Sequence, residues 1–185
     1  MLILIGLRGS GKTTLARTFA ALHPCVWRDL DDLTAAALNH PSAGAALGAL
    51  GEAAFRAAEC AALERVLTSP PLPAILALGG GTPMYPPARE IVRAAQRAGR
   101  ARIIYLHAPP AILATRLAQD AATLRPPLTA HADPLTESAA LYAARDPIYR
   151  ALGDTTLDTE GRFPNELTGE LAALFAAFPQ QTPHS

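Results

Sequence analysis

The feature that most constrains this chain lies in its first thirteen residues. A continuous apolar run, Leu2-Ile3-Leu4-Ile5, leads into Gly6-Leu7-Arg8-Gly9-Ser10-Gly11-Lys12-Thr13. Two glycines five apart, followed by Lys and Ser/Thr, make the phosphate-loop pattern, and that pattern has meaning only between a strand and a helix. The apolar run reads as a buried strand, and Thr13–Leu22 reads as the helix that must follow. Glycines let the backbone wrap a phosphate chain closely, while amide N–H groups and the helix N-terminus point at the anion. A chance match would occur in about one chain in a hundred of this length. Lys12 is also the only lysine among 16 cationic side chains. A coding bias toward arginine accounts for the other fifteen. A compact point charge at a phosphate site is not interchangeable with a planar fork.

The rest of the chain continues the alternation. Strand candidates are Cys25–Arg28, Ala74–Leu78, Arg102–Leu106 and Thr155–Leu157; helix candidates are Gly51–Leu67, Pro87–Ala98, Pro109–Leu117, Leu135–Arg150 and Pro164–Phe178. Strands that are apolar throughout, separated by helices, predict a parallel sheet covered on both faces. At 185 residues the chain has room for one domain, expected over 1–178 with a tail at 179–185. Residues 29–50 and 120–134 fit the alternation poorly and are candidates for mobile segments covering substrate.

Composition narrows the class. Half the residues are hydrophobic and 17% are charged, which is globular. Sixteen basic against sixteen acidic residues argue against a general nucleic-acid binder. Cys25 and Cys60 cannot form a disulfide scaffold and suggest a reducing compartment. No apolar run reaches the roughly 18 residues of a membrane span, and Arg8 interrupts the first run too soon for a signal-peptide core. The expectation is a soluble, cytoplasmic protein.

In a phosphate-loop site the Thr13 hydroxyl would ligate Mg²⁺ and Lys12 would reach the β/γ-phosphates. A second metal-anchoring carboxylate usually comes from a strand end. Ala74–Leu78 offers none, but Asp29, Asp31 and Asp32 follow the second strand. In extended chain, Asp29 and Asp31 would point differently, one toward the metal and one toward an acceptor hydroxyl. Asp32 is expected to cap the following helix, the common use of such a cluster.

With these pieces placed, the chain resembles the shikimate kinase family. The resemblance runs from Leu2 to about Phe178. It rests on Gly9-Ser10-Gly11-Lys12-Thr13, Asp29/Asp31, Gly51-Glu52-Ala53-Ala54-Phe55-Arg56 with Glu59, Gly79-Gly80-Gly81, Arg125-Pro126, and Arg145-Asp146-Pro147-Ile148-Tyr149. It implies an α/β fold of the P-loop nucleoside-monophosphate-kinase type, a three-layer sandwich with a five-stranded parallel sheet. It implies transfer of phosphate from ATP, with Mg²⁺, to the 3-hydroxyl of shikimate in aromatic amino-acid biosynthesis. By match to the family motifs, Asp31, Arg56, Arg145 and Gly79–Gly81 would hold shikimate within a region of about 29–60 and beyond. Arg125 would be the lid arginine, in a lid of about 118–134, and with Lys12 and Asp31 would make the catalytic set. Gly9, Ser10, Gly11, Lys12, Thr13 and Thr14 would hold the nucleotide phosphates, with Arg162 and Pro164 on the adenine side and Arg116 a second adenine contact. Thr13 and Asp29 would hold the metal. The expected partners are shikimate and ATP alone, on a monomer, with no nucleic acid or membrane.

The chain departs from the family pattern at Arg125-Pro126-Pro127-Leu128, where Arg-Pro-Leu is more frequent, and at Leu30, where a small hydroxyl residue is common. Rival readings are a kinase for another sugar acid such as gluconate, a nucleoside monophosphate kinase, and a nucleotide-binding module without catalysis. The first has no evident need for the triple glycine with Arg56 and Arg145. The second lacks a base-recognition insert. The third could lose the acceptor-side acid that Asp31 retains.

Overall fold

A computed structural model describes residues 1–119 and 134–178. Among these residues five strands form one sheet: β1 (Leu2–Ile5), β2 (Trp27–Asp29), β3 (Ile75–Ala77), β4 (Arg102–His107) and β5 (Thr155–Asp158). The order is β2-β3-β1-β4-β5 and every pairing is parallel. Seven α-helices among the described residues connect and cover it: α1 (Lys12–Leu22), α2 (Leu30–Ala37), α3 (Ala43–Thr68), α4 (Pro86–Arg97), α5 (Pro110–Gln119), α6 (Pro134–Leu152) and α7 (Pro164–Ala176).

The apolar strands are the reason the sheet must be covered twice. Ile3 and Ile5 of β1, Leu76 of β3, and Ile103 and Tyr105 of β4 pack into one core with α3, α4 and α6. Leu2 and Leu4, Ile75, and Ile104 and Leu106 pack into the opposite core with α1 and α7. Alternate residues therefore serve opposite faces, as strand geometry requires. The rings of Phe19 and Phe175 meet edge-on at 6.1 Å and join α1 to α7.

The sequence expectation was weakest over residues 29–50. This stretch is largely helical: α2 begins directly after β2, and α3 begins at Ala43 behind an N-cap, Ser42, whose hydroxyl accepts from Ala45 N at 3.1 Å. Helix α3 breaks at Gly51 (φ 79°, ψ 167°), so the expected start at Gly51 marks a kink inside a longer element. Alanine and glycine hide helical periodicity because they carry little of the apolar stripe that signals a face.

All parallel strands end on one edge of the sheet, and ligands of open α/β sheets bind in the crevice outside those ends. Here that edge carries the loop after β1, Asp29 at the end of β2, and Leu78-Gly79 after β3.

Candidate active site

The phosphate loop occupies the predicted place, between β1 and α1. Gly9 and Gly11 take positive φ of 79° and 92°, and Gly11 is the N-cap of α1. Lys12 Nζ donates to the carbonyls of Gly6 (2.8 Å) and Leu7 (2.9 Å), which hold the ammonium at the mouth of the loop. Thr13, on the first turn of α1, donates its hydroxyl to Asp29 Oδ2 at 2.6 Å. The other oxygen of Asp29 accepts from Asp31 N at 3.0 Å.

Two sequence expectations change here. The cap of α2 is Asp29, not Asp32, which lies in the first turn of the helix. Asp31 is also helical, so it diverges from Asp29 through the β2–α2 transition and not through strand alternation. The Thr13–Asp29 pair tests the fit of a magnesium site. Mg²⁺ takes hard oxygen donors at about 2.1 Å in an octahedron, whose edge is then about 2.9 Å. Two such oxygens held 2.6 Å apart suit adjacent positions. Among the described residues no cluster of three or more His, Cys, Asp or Glu side chains offers a metal site elsewhere.

The triple glycine organises the acceptor side. A Cβ on Gly79 would lie 2.4 Å from Asp31 Oδ1, one on Gly80 3.8 Å from Arg145 Nη1, and one on Gly81 2.6 Å from Arg56 Nη2. Each glycine thus faces one of the three side chains singled out in the sequence. The same Cβ on Gly80 would lie 3.4 Å from the Gly6 carbonyl, so the turn also abuts the phosphate loop. Side chains at these positions would keep the three polar groups and the loop apart.

Arg56 sits on α3 just beyond the Gly51 break. Its Nη1 donates to Glu59 Oε2 at 2.8 Å, and its Nε lies 3.7 Å from the exposed Glu52. Glu59 is 1% exposed and accepts a second bond from the Thr82 hydroxyl at 2.7 Å. An ionised carboxylate tolerates that burial only when paired and hydrogen-bonded. Arg145, on α6, has as neighbour the buried Tyr149, whose hydroxyl donates to the Gly80 carbonyl at 2.5 Å. Burial raises the Tyr149 pKa to about 12, against an opposing contribution from Arg145.

An open groove of about 690 Å³ runs along the loop and ends at Asp31, Gly79 and Gly80. Thr14, Arg116, Arg162 and Pro164 also line it. Its volume falls in the usual ligand range of about 300–1,000 Å³. Arg56, Gly81 and Arg145 are not among the residues that line this groove. The Arg116 guanidinium donates to Gly9 O (3.3 Å), Thr159 Oγ1 (2.9 Å) and Thr159 O (2.6 Å). It ties the phosphate loop to the segment after β5. Arg162 donates to Asp158 O at 3.4 Å and pairs with Glu170, and Pro164 opens α7. Arg125, most of the expected lid, and the tail at 179–185 lie outside the described residues.

Sequence reasoning assigned no role to Glu59, Thr82, Tyr149 or Thr159. Glu59 carried a signal, an acid three residues after Arg56 on an Ala-rich helix. Thr82 and Thr159 had none, because their partners are distant in the chain.

Comparison with known proteins agrees with this geometry. Residues 8–175 match the family model described as Shikimate kinase. A shikimate kinase of Neisseria gonorrhoeae is 39% identical over 158 residues, covering 85% of this chain and 86% of that one. A shikimate kinase of Thiobacillus denitrificans is 35% identical, covering 85% and 80%. Among solved structures, shikimate kinase from Acinetobacter baumannii in complex with shikimate superposes with a TM-score of 0.80 at 26% identity, covering 95% and 92%. A gluconokinase from Sinorhizobium meliloti superposes with a TM-score of 0.59 at 17% identity, a likeness of fold alone. The gluconokinase shares the fold, but the family match spans residues 8–175, and by it the chain belongs to the shikimate kinase family.

Proposed function

We propose that this protein transfers the γ-phosphoryl group of ATP to the 3-hydroxyl of shikimate, giving shikimate 3-phosphate and ADP for aromatic amino-acid biosynthesis. The observation that carries the reading is the convergence of Asp31, Arg145 and Arg56 on Gly79, Gly80 and Gly81, against the phosphate loop. A small carboxylate bearing hydroxyls needs that combination: arginines for the carboxylate and an acid for the hydroxyls.

Phosphoryl transfer asks the protein mainly for positioning and charge neutralisation. Gly9, Ser10, Gly11, Lys12, Thr13 and Thr14 cradle the phosphate chain, and Lys12 turns from the loop carbonyls to the β/γ oxygens. Thr13 and Asp29 would hold Mg²⁺, which would supply charge neutralisation to the phosphate chain. Arg162, Pro164 and Arg116 form the nucleoside end. Arg116 acts through the loop and Thr159, since its donors point there. Arg56 and Arg145 fix the shikimate carboxylate by charge-assisted bonds. Asp31 orients the 3-hydroxyl and accepts its proton as the new O–P bond forms and the bond to the β-phosphate oxygen breaks. Arg125 stabilises charge on the group in transfer. The acceptor region spans about 29–60 with the glycine turn and Arg145, and about 118–134 is the lid of one kinase domain, 1–178.

No helix among the described residues is long and apolar enough to cross a membrane. We read the enzyme as a cytoplasmic monomer acting on small molecules only, without nucleic acid or membrane; balanced charge and two free cysteines support that. The test is ADP release with ATP and Mg²⁺ against shikimate, gluconate and nucleoside monophosphates. Selective turnover of shikimate is the expected result. Turnover of gluconate in its place would move the protein to the runner-up reading.

A further inference from the structure

Helix α6 carries Arg145, and side-chain hydrogen bonds attach this helix to β4. Tyr105 donates to Asp146 Oδ1 at 2.8 Å, and Arg150 Nε binds the other oxygen at 2.7 Å. Tyr142 bonds His107 Nε2 at 2.9 Å. These contacts set the helix against the sheet, but the acceptor side lies at the glycine turn after β3. Tyr149 makes that connection. Its side chain is fully buried, its ring packs on Tyr105 with centroids 5.2 Å apart, and its hydroxyl reaches the Gly80 carbonyl at 2.5 Å. Arg145 and Tyr149 are four residues apart on α6 and so share a face. Both side chains reach Gly80: a Cβ there would lie 3.8 Å from Arg145 Nη1, and its carbonyl accepts the Tyr149 hydroxyl.

We propose that Tyr149 is the positioning residue for Arg145: its hydroxyl donates to Gly80 and accepts from the guanidinium, locking the arginine to the turn that receives the substrate carboxylate. A phenol has one proton to donate and lone pairs to accept with. The proton is used on Gly80, which leaves the oxygen for Arg145. A guanidinium has five N–H donors in a fixed fork, so anchoring one leaves the others aimed. Packing does not require the hydroxyl, because phenylalanine would fill the same volume against Tyr105. The hydroxyl is instead a desolvated polar group that donates to Gly80, and such a group is costly to leave half-paired. The inference rests on the functional reading above.

The experiment is a double-mutant cycle between Tyr149→Phe and Arg145→Ala, with KM for each substrate, kcat and thermal midpoint measured throughout. Tyr149→Phe is expected to raise the KM for shikimate about tenfold, the size of a direct coupling, with the KM for ATP within about twofold of the parent. In the Arg145→Ala background the same change should add nothing further to the shikimate KM. Placing 4-aminophenylalanine at 149 should restore most of the loss, since it can both donate and accept. If the phenylalanine variant does not fold, 4-aminophenylalanine is compared with 4-methylphenylalanine at 149, matched in size and different in hydrogen bonding. Full additivity with Arg145→Ala, equal loss toward both substrates, or no loss in a folded variant overturns the assignment. If the parent turns over gluconate and not shikimate, the functional reading fails, and the same cycle on that carboxylate acceptor still decides Tyr149.

Discussion

Gly79→Ala is the perturbation that isolates the glycine turn most cleanly. A Cβ at this position would stand 2.4 Å from Asp31 Oδ1 and 3.1 Å from Thr82 Oγ1. Ordinary contact begins near 3.4 Å, so the carboxylate must retreat by about 1 Å, and misplacement of a reacting group on that scale can cost about 100-fold in rate. The cost in stability is small by comparison. Asp31 is half-buried and can swing into the groove, and Thr82 needs to give only a few tenths of an ångström. The expected outcome is a kcat for shikimate lower by about 100-fold, unchanged ATP affinity, and a thermal midpoint near that of the parent. Gly169→Ala is the control, since nothing lies within 4 Å of a Cβ there. The assay is coupled ADP release under saturating substrates, with ATP binding followed calorimetrically. A folded Gly79→Ala protein with parental kcat would refute the argument that the glycine exists to admit Asp31.

Arg56→Ala should raise the shikimate KM strongly, in line with about 2–5 kcal/mol for losing a charged partner of a buried carboxylate, and leave the KM for ATP nearly unchanged; the opposite pattern would remove Arg56 from the clamp. Asp31→Asn should bind ATP normally yet turn over shikimate far more slowly, because an amide orients but accepts no proton; rates within a few-fold of the parent would end the catalytic assignment. Acylation of amines should inactivate the enzyme at the sole lysine, Lys12, with Mg²⁺–ATP protecting better than shikimate; mass spectrometry locates the label, and full activity after quantitative labelling at Lys12 would contradict the phosphate-loop role.

What was legible in the sequence follows from what is local. Strand, glycine loop and helix are set by residues 2–22, so the phosphate loop stands where the pattern placed it. The apolar strands fixed the sheet as parallel and doubly covered for the same reason. The capping of α2 by Asp29 was obscure because three aspartates in four positions can all serve, and only the bond from Asp31 N to Asp29 Oδ1 decides among them. The bonds of Arg116 were not legible because its partners, Gly9 and Thr159, are more than forty residues away in either direction. Glu59 and Thr82 meet across 23 positions, a separation no local pattern reports. The resemblance supplied the acceptor-side residues; the structure adds why three consecutive glycines are needed, one for each of Asp31, Arg145 and Arg56.

The central claim is tested most directly by the product itself. Incubation with ATP, Mg²⁺ and shikimate, followed by ³¹P and ¹H NMR, should give one phosphomonoester, with its phosphorus coupled to the proton on carbon 3 and ADP formed in equal amount. Phosphate on another hydroxyl, or ADP formed without a sugar-acid phosphate, would contradict the account.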